Sequence, residues 1–309
     1  MRRIIDAHVH IVPERLLGTT EGAIHYDICG RYVIAGGKMH YQAMPDVIGN
    51  SAFTAQTLVR VMENAGVERG IIMQGMSDAL LPDTIAAVRR YPDQLWGAMR
   101  LDPAADNLGE RVKLYHSMGL TVIKCLLEVI PGFPNRYEKN PINSPAHREA
   151  FALAQEYGIT VAIDPGMPGN AGYNVEGIEN VIRDFPRLRF VLCHLAVARK
   201  KPLEDPRIHA LWAKMRSLAA FPNVWLECSA LCDFYEEERY PYPTAQRLVR
   251  EAMDEFGANK VIWGSDIPGT LTNSTYRQLI ETYDRSALFT EEEKDRLFSQ
   301  NALDAYGQN

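Results

Sequence analysis

The sequence predicts a closed (β/α)8 barrel, formed by a single domain over residues 1–309 with a long loop after the first strand. Three observations predict this fold. Short apolar, β-branched runs alternate with amphipathic stretches, the alternation repeats eight times, and 309 residues is a typical length for such a barrel. An open doubly wound sheet would place a glycine-rich phosphate loop after its first strand, whereas this chain continues with HIVPERLLG. The closed barrel is therefore favoured over the open sheet.

Eight apolar runs define the predicted strands. They are expected at 3–8, 67–74, 95–101, 120–127, 159–163, 188–193, 223–228 and 260–265. Apolar residues at helical spacing predict helices between them, most clearly at 55–65, 107–118, 145–157 and 244–256. Asn143 and Ser144 precede Pro145, an order typical of a helix cap followed by proline in the first turn.

Two long stretches lack this periodicity, 12–54 after the first strand and 128–144 after the fourth. Because loops at the carboxyl ends of barrel strands form the substrate pocket, we expect both stretches to line it. Their aromatic residues would suit a flat or apolar substrate with an acidic group. These residues are Tyr26, Tyr32, Tyr41, Phe133 and Tyr137.

Composition excludes several classes of protein. Lys and Arg number 33 against 39 Asp and Glu, a net charge of −6 without a basic stripe, so we expect no nucleic-acid partner. Five cysteines without a CxxC spacing indicate reduced thiols. Asp6 and His8 interrupt any apolar leader, and no apolar run is long enough to span a bilayer, which predicts a cytoplasmic protein without a membrane partner. A homo-oligomer is the default expectation.

Two histidines close the first predicted strand. Side chains alternate between the two faces of a strand, which puts Asp6, His8 and His10 on one face and Ile5 and Ala7 on the other. We expect the imidazoles on the inward face. Asp6 would lie below them and orient one ring. Two imidazoles one pleat apart suit a single metal ion. Two buried histidines with ordinary hydrogen bonds in the core would give the same pattern.

Three further strands are apolar up to their last residue, where a titratable side chain appears. These residues are Asp164, His194 and Asp266, and each has the same parity as the residues assigned to the inward face of its strand. Barrel enzymes carry their catalytic groups at the carboxyl ends of strands. Because an unpaired buried carboxylate costs several kcal/mol, one common site explains these residues better than packing does.

Four motifs in this order resemble a known family. DAHVH at the start of the chain, LCHLA around residue 194, WGSDIP around residue 266 and the closing QNALDAYG resemble the amidohydrolase-related metal enzymes, in the branch that includes aminocarboxymuconate-semialdehyde decarboxylase. The resemblance implies a TIM barrel and a divalent metal, most often zinc and sometimes manganese. It implies that His8, His10 and Asp266 are ligands and that His194 is a second catalytic group.

One position departs from the family pattern. Relatives have a histidine at the end of the fifth strand, where this chain has Asp164. The carboxylate would complete the metal shell as an oxygen ligand. Alternatively, it would cap the following turn or accept a hydrogen bond from a neighbouring histidine.

Two cationic residues are candidates for binding the substrate. Lys124 lies where related enzymes often have a lysine. It could bind a substrate carboxylate, bridge two metals when carbamylated, or pair with Glu128, which has the same parity. Arg100, at the end of the third strand, suits a carboxylate through its two-pronged guanidinium, or pairs with Asp102.

The sequence thus predicts a metal-dependent hydrolase that acts on an amide or lactone of a small organic acid. Asp266 and the metal would activate water, and His194 would polarise the carbonyl or pass a proton. A non-oxidative decarboxylase is the alternative on the same fold, and a metal-free binding barrel is the third hypothesis. Hydrolysis is favoured because two carboxylates, Asp164 and Asp266, disfavour the carbanion-like charge that decarboxylation develops.

Overall fold

Eight parallel strands form one sheet in chain order, in a computed structural model that describes residues 2–307 except 22–23, 35–36, 38, 74–77, 128–136, 138, 171, 200–202 and 236. The strands are β1 (Ile5–Val9), β6 (Arg69–Ile72), β7 (Leu95–Arg100), β8 (Val122–Leu126), β9 (Thr160–Asp164), β10 (Arg189–Leu192), β11 (Val224–Glu227) and β12 (Val261–Ile262). The sheet closes where His10 N donates to Ile267 O at 2.8 Å and Asp266 N donates to His8 O at 2.7 Å. The predicted barrel is confirmed, and two of its strands, β6 and β12, are markedly shorter than expected.

Helices lie between the strands of the barrel and after the last one. They are Ala55–Ala65, Leu81–Arg90, Leu108–Ser117, Pro145–Glu156, Val175–Asp184, Pro206–Arg216, Leu231–Phe234, Pro243–Phe256, Tyr276–Asp284, Glu291–Asp295 and Asn301–Tyr306, with a π-helical turn at Arg296–Gln300. The helix at Pro145 begins as predicted, with Ser144 extended at the cap. Among the described residues, no helix is both long enough and apolar enough to cross a membrane.

The stretch 12–54 is more regular than the sequence predicts. It folds into an antiparallel sheet of β2 (Thr20–Glu21), β3 (Ile24–Tyr26), β4 (Arg31–Ile34) and β5 (Met39–Gln42). The rings of Tyr26 and Tyr32 pack edge to face with centroids 4.8 Å apart. Strands this short carry little alternation, which is why periodicity did not reveal them.

Two apolar cores separate the inner and outer faces of the barrel. Alternate strand residues fill the interior, among them Ile5, Ala98, Val122, Ala162, Val191 and Ile262. Ala302, Ala305 and Tyr306 of the last helix pack against these residues. The intervening residues, such as Ile123, Val161 and Leu192, belong to the larger core that also contains helix residues. Parity along each strand therefore determines which side chains point inward.

A bulge in β1 changes the predicted parity of the first strand. Asp6 pairs with Gly70 but Val9 pairs with Ile72, so β1 has one residue more than its neighbour between the two pairs. Ile5 and Ala7 consequently belong to the inner core, although the sequence pattern placed them outside.

Asp6 does not occupy the place predicted for it beneath the imidazoles. Its carboxylate accepts hydrogen bonds from Tyr276 OH at 2.8 Å, from Ser265 N at 2.8 Å and from His8 N at 3.1 Å. Burial raises the pKa of Asp6 to about 7, against the effect of these hydrogen bonds. Asp6 thus holds the β1–β12 seam together through backbone and tyrosine donors.

Candidate functional site

Two histidines and an aspartate meet at the carboxyl end of the barrel. His8 and His10 follow the bulge in β1, and Asp266 lies just beyond β12. His10 Nε2 lies 2.9 Å from Asp266 Oδ1, and His8 Nε2 lies 3.8 Å from the same oxygen. The donor atoms of the three residues all lie within 4.8 Å of one another. The structure thus brings together the three residues that the family resemblance implies as ligands.

The hydrogen bonds at Nδ1 determine how each imidazole faces this cluster. His10 Nδ1 lies 2.8 Å from the carbonyl oxygen of Met73. His8 Nδ1 lies 2.9 Å from Oε2 of Glu227. Because a carbonyl and a carboxylate only accept, both Nδ1 atoms carry a proton, and each ring directs its Nε2 toward Asp266. With both rings neutral, three acceptors face one another and a cation can be bound between them; a proton on His10 Nε2 instead makes a hydrogen bond to Asp266.

The chemistry of these donors fits a divalent metal. Two imidazole nitrogens and one carboxylate oxygen form a set that zinc and manganese both accept. Burial raises the pKa of Asp266, but the hydrogen bond with His10 and the neighbouring imidazoles lower it to about 2, so Asp266 is ionised at neutral pH. The site therefore offers a negative charge and two neutral nitrogens to the ion.

Glu227 and Ser229 are site residues that the sequence analysis missed. Glu227 ends β11, is fully buried, and accepts hydrogen bonds from His8 Nδ1, from Ser229 N and, at 3.0 Å, from Ser229 Oγ. Gly264 makes room for it, because a Cβ there would lie 2.8 Å from Glu227 Oε1. The signal was available in the sequence: Glu227 is a lone carboxylate at the end of an apolar run, like Asp164 and Asp266.

His194 reaches the cavity by a route that strand parity does not predict. Leu192 faces the outer core and Cys193 the inner one, so a regular strand would turn residue 194 outward. Instead the chain enters a left-handed turn over His194–Val197, with φ between 48° and 64°. The His194 ring consequently lies with its centroid 4.8 Å from that of His8.

Asp164 pairs with His194 rather than with the other two histidines. Its Oδ2 lies 3.6 Å from His194 Nε2, and its Oδ1 accepts a hydrogen bond from Gly166 N at 3.1 Å. Burial raises the pKa of Asp164, but His194, Lys124 and the Gly166 amide lower it below its usual range. The turn contact proposed as an alternative to metal binding is thus present, whereas the contact with His194 is longer than a hydrogen bond. The assignment of Asp164 as a ligand stays a prediction.

The two predicted cationic residues differ in their relation to the cavity. Lys124 is buried on β8, lines the cavity, and places Nζ 3.1 Å from Cys193 Sγ. Its proposed partner Glu128 lies outside the described residues. Arg100 pairs with Lys124 in the sheet register and is half-buried, but it is not among the described residues that line the cavity. Its assignment to the substrate stays a prediction.

A cavity of about 550 Å³ opens above the cluster. The first loop supplies one wall as predicted, through Tyr26, Tyr32, Tyr41 and Met44. Of the other two predicted aromatic residues, Phe133 lies outside the described residues and Tyr137 is not among the described lining residues. The catalytic candidates line the same cavity: His8, His10, Lys124, Asp164, His194 and Asp266.

A second cation lines the cavity near its exposed side. Arg199 is exposed, and its guanidinium carbon lies 4.6 Å from the centre of the Phe234 ring, which holds it by a cation–π contact. The Phe234 ring in turn packs against His194, with centroids 5.9 Å apart. The cavity thus offers a positive charge at its buried end, on Lys124, and another at its exposed end.

Residues 5–308 match the family model of the amidohydrolases. The chain belongs to the amidohydrolase family. The family resemblance drawn from the four sequence motifs is therefore confirmed. Family membership and the donor set together support a divalent metal.

Individual relatives of this amidohydrolase cover it to very different extents. An L-fucono-1,5-lactonase from Burkholderia ambifaria is 42% identical over 89 residues, 28% of this chain and 28% of the lactonase, so the chain aligns with little more than a quarter of that relative. An amidohydrolase from Burkholderia multivorans with bound zinc has a TM-score of 0.73 at 17% identity, over 99% of this chain and 100% of its own. A probable 2-pyrone-4,6-dicarboxylic acid hydrolase from Acinetobacter baumannii with bound citric acid has a TM-score of 0.70 at 18% identity, over 99% and 100%. The two solved structures share the fold.

Proposed function

We propose that this amidohydrolase is a metal-dependent hydrolase that opens a small lactone of an organic acid. The observation that carries the proposal is the convergence of two nitrogen donors, the Asp266 carboxylate and the His194–Asp164 pair on the floor of one cavity. This arrangement combines an ion site with proton-carrying groups, and the two together suit the hydrolysis of an ester.

His8, His10 and Asp266 would hold the ion, and we propose zinc, with manganese as the alternative. When bound, such an ion supplies Lewis acidity to a carbonyl oxygen and lowers the pKa of water.

The side chains around the ion site carry out the proton transfers of the reaction. Opening a lactone adds one water across the ester bond: the water loses a proton, and the ring oxygen gains one as its bond to the carbonyl carbon breaks. Asp266 and His194 line the same cavity and can carry that proton. Lys124 and Arg199 offer positive charge to an anionic group of the substrate.

The names of two relatives support a cyclic ester as substrate. One relative is an L-fucono-1,5-lactonase and the other a probable 2-pyrone-4,6-dicarboxylic acid hydrolase, and both names describe opening of an ester ring. The second substrate is also a dicarboxylate, which agrees with the two cations of the cavity. No observation on this chain favours decarboxylation over hydrolysis.

Turnover of a lactone panel in ¹⁸O-labelled water tests the proposal. The panel contains sugar-acid lactones and pyrone carboxylates, and acid release is followed with a pH indicator in the zinc-loaded enzyme. We expect ¹⁸O in the product carboxylate, loss of turnover after chelation, and recovery with added zinc. His10→Ala should abolish turnover, whereas the matched control His209→Ala, on an exposed helical position, should not change it. Release of carbon dioxide with solvent deuterium on carbon would contradict hydrolysis.

A further inference from the structure

Ser229 connects the two histidines that serve different parts of the site. Its Oγ lies 2.8 Å from His194 Nδ1 and 3.0 Å from Glu227 Oε2. The same Glu227 oxygen lies 2.9 Å from His8 Nδ1. Ser229 and Glu227 are 1% and 0% exposed, so water does not compete for these hydrogen bonds. One buried carboxylate thus contacts His8 directly and His194 through a hydroxyl.

The direction of each hydrogen bond follows from what each group can donate. A carboxylate has no proton to give, so Ser229 donates its hydroxyl proton to Glu227. The hydroxyl has only one proton, and therefore its oxygen must accept from His194 Nδ1. This nitrogen also lies 3.4 Å from the Ser229 carbonyl oxygen, which only accepts as well.

We propose that Ser229 is a positioning residue that holds His194 with its proton on Nδ1 and its Nε2 open to the cavity. Glu227 accepts the hydroxyl proton of Ser229. The hydroxyl oxygen is therefore left to accept the Nδ1 proton of His194. A ring fixed in this way takes up and returns a proton only at Nε2, which faces Asp164 and the cavity. The link between Ser229 and catalysis rests on the proposed hydrolase function, whereas the assignment of the His194 proton to Nδ1 does not.

The backbone supports the same assignment. Ser229 N donates to Glu227 Oε1, so the main chain at Ser229 binds the same carboxylate as the Ser229 hydroxyl. Ala230 follows with a φ of 59°, a left-handed conformation that turns the chain away at this point. The main chain thereby holds Ser229 next to Glu227.

Long-range ¹H–¹⁵N correlation of the histidine rings in the zinc-loaded, ¹⁵N-histidine-labelled protein at alkaline pH tests the proposal directly. We expect the His194 signals of a neutral ring protonated at Nδ1, assigned by their loss in His194→Gln. In Ser229→Ala the ring loses its short acceptor, and the ratio of the two tautomers should move about five- to tenfold toward the Nε2-protonated form, as expected for one neutral hydrogen bond. Ser229→Thr keeps the hydroxyl and should restore the wild-type ratio.

A control variant and an activity measurement separate this proposal from loss of folding and from failure of the proposed function. Ser286→Ala removes another buried hydroxyl, which donates to Gln246 Oε1 at 2.6 Å away from the site, and should leave every ring unchanged. With a lactone substrate, Ser229→Ala should lower kcat about five- to tenfold at unchanged KM.

Either of two NMR results would overturn the proposal. A His194 ring that is protonated at Nε2, or a tautomer ratio that Ser229→Ala leaves unchanged, would contradict it. If no lactone is turned over but the tautomer shifts as expected, the proposed function fails and the role of Ser229 stands.

Discussion

Replacing Glu227 with glutamine should weaken metal binding while keeping the shape of the site. The side chain lies in a close space, since a Cβ on Gly264 would lie 2.8 Å from its Oε1, and an isosteric change avoids any clash. Both carboxylate oxygens face donors: Ser229 N at one, and His8 Nδ1 with Ser229 Oγ at the other. Whichever end becomes the amide nitrogen, an N–H group therefore meets another donor.

The expected loss of zinc affinity follows from this contact between two donors. A buried group left without its hydrogen bond costs about 1–3 kcal/mol, which corresponds to roughly 5–150-fold in an equilibrium constant. Partners that orient a ligating histidine typically change metal affinity by about 10–100-fold, which agrees with that range. We therefore expect zinc affinity to fall by about 10–100-fold in Glu227→Gln.

Competition with a chromogenic chelator measures the zinc affinity of wild type, Glu227→Gln and the matched surface control Glu292→Gln. The control should bind zinc like wild type, because the Glu292 side chain is 82% exposed and only approaches Arg296. Equal affinity for Glu227→Gln and wild type, with both folded by circular dichroism, would refute the inference that Glu227 orients His8.

The remaining predictions concern the metal site, catalysis and acid stability. Elemental analysis should find about one divalent ion per chain, and essentially none in the His8→Ala/His10→Ala double variant. His194→Asn should keep its metal while turnover falls about 10²–10⁴-fold, and loss of the metal would make His194 a ligand instead. If Asp164 is a ligand, Asp164→Asn should retain less metal than Asp164→His; equal retention supports the turn and His194 contacts alone. Burial lowers the pKa of His147 to about 4, so the unfolded chain binds its proton first as the pH falls below 6.5. By pH 4 the free energy of unfolding should therefore fall by up to about 3 kcal/mol more in wild type than in His147→Gln, as measured by urea titration.

The barrel and the position of its site were predictable because both depend on spacing. Eight apolar runs at regular intervals permit few folds, and all eight strands lie within a few residues of their predicted places. In a parallel barrel every strand ends at the same rim. A titratable residue at the end of a strand therefore reaches the rim even when its predicted parity is wrong, as for His194.

The prediction of inward-pointing side chains from their alternation was wrong where the backbone leaves regular strand geometry. The alternation rule assumes one residue per pleat, and the bulge in β1 inserts an extra residue that puts Asp6 on the seam and Ile5 in the interior. Whether a bulge forms depends on the neighbouring strand and on the packing of the seam. A single strand sequence does not contain that information.

Glu227 was missed for a different reason. The charged end of β11 has the same pattern as the ends of β9 and β12, but none of the four family motifs includes Glu227. The sheet formed by β2–β5 was missed because its strands are two to four residues long. Such strands are stabilised by cross-strand contacts between residues far apart in the chain.

The left-handed turn at His194 shows how the rest of the fold supports the site. Four consecutive residues without a glycine have φ between 48° and 64°, and at about 1–2 kcal/mol per residue this conformation costs on the order of 4–8 kcal/mol. Buried donors from two separate segments bind the carbonyl groups of the turn: Trp212 Nε1 donates to Leu195 O at 2.8 Å and Tyr173 OH donates to Ala196 O at 3.2 Å. A regular backbone would have turned His194 away from the cavity, so these contacts stabilise the conformation that the chemistry needs. The position of His194 is therefore set in part by Trp212 and Tyr173, which are not among the proton-carrying groups of the cavity. It is fixed before any substrate binds.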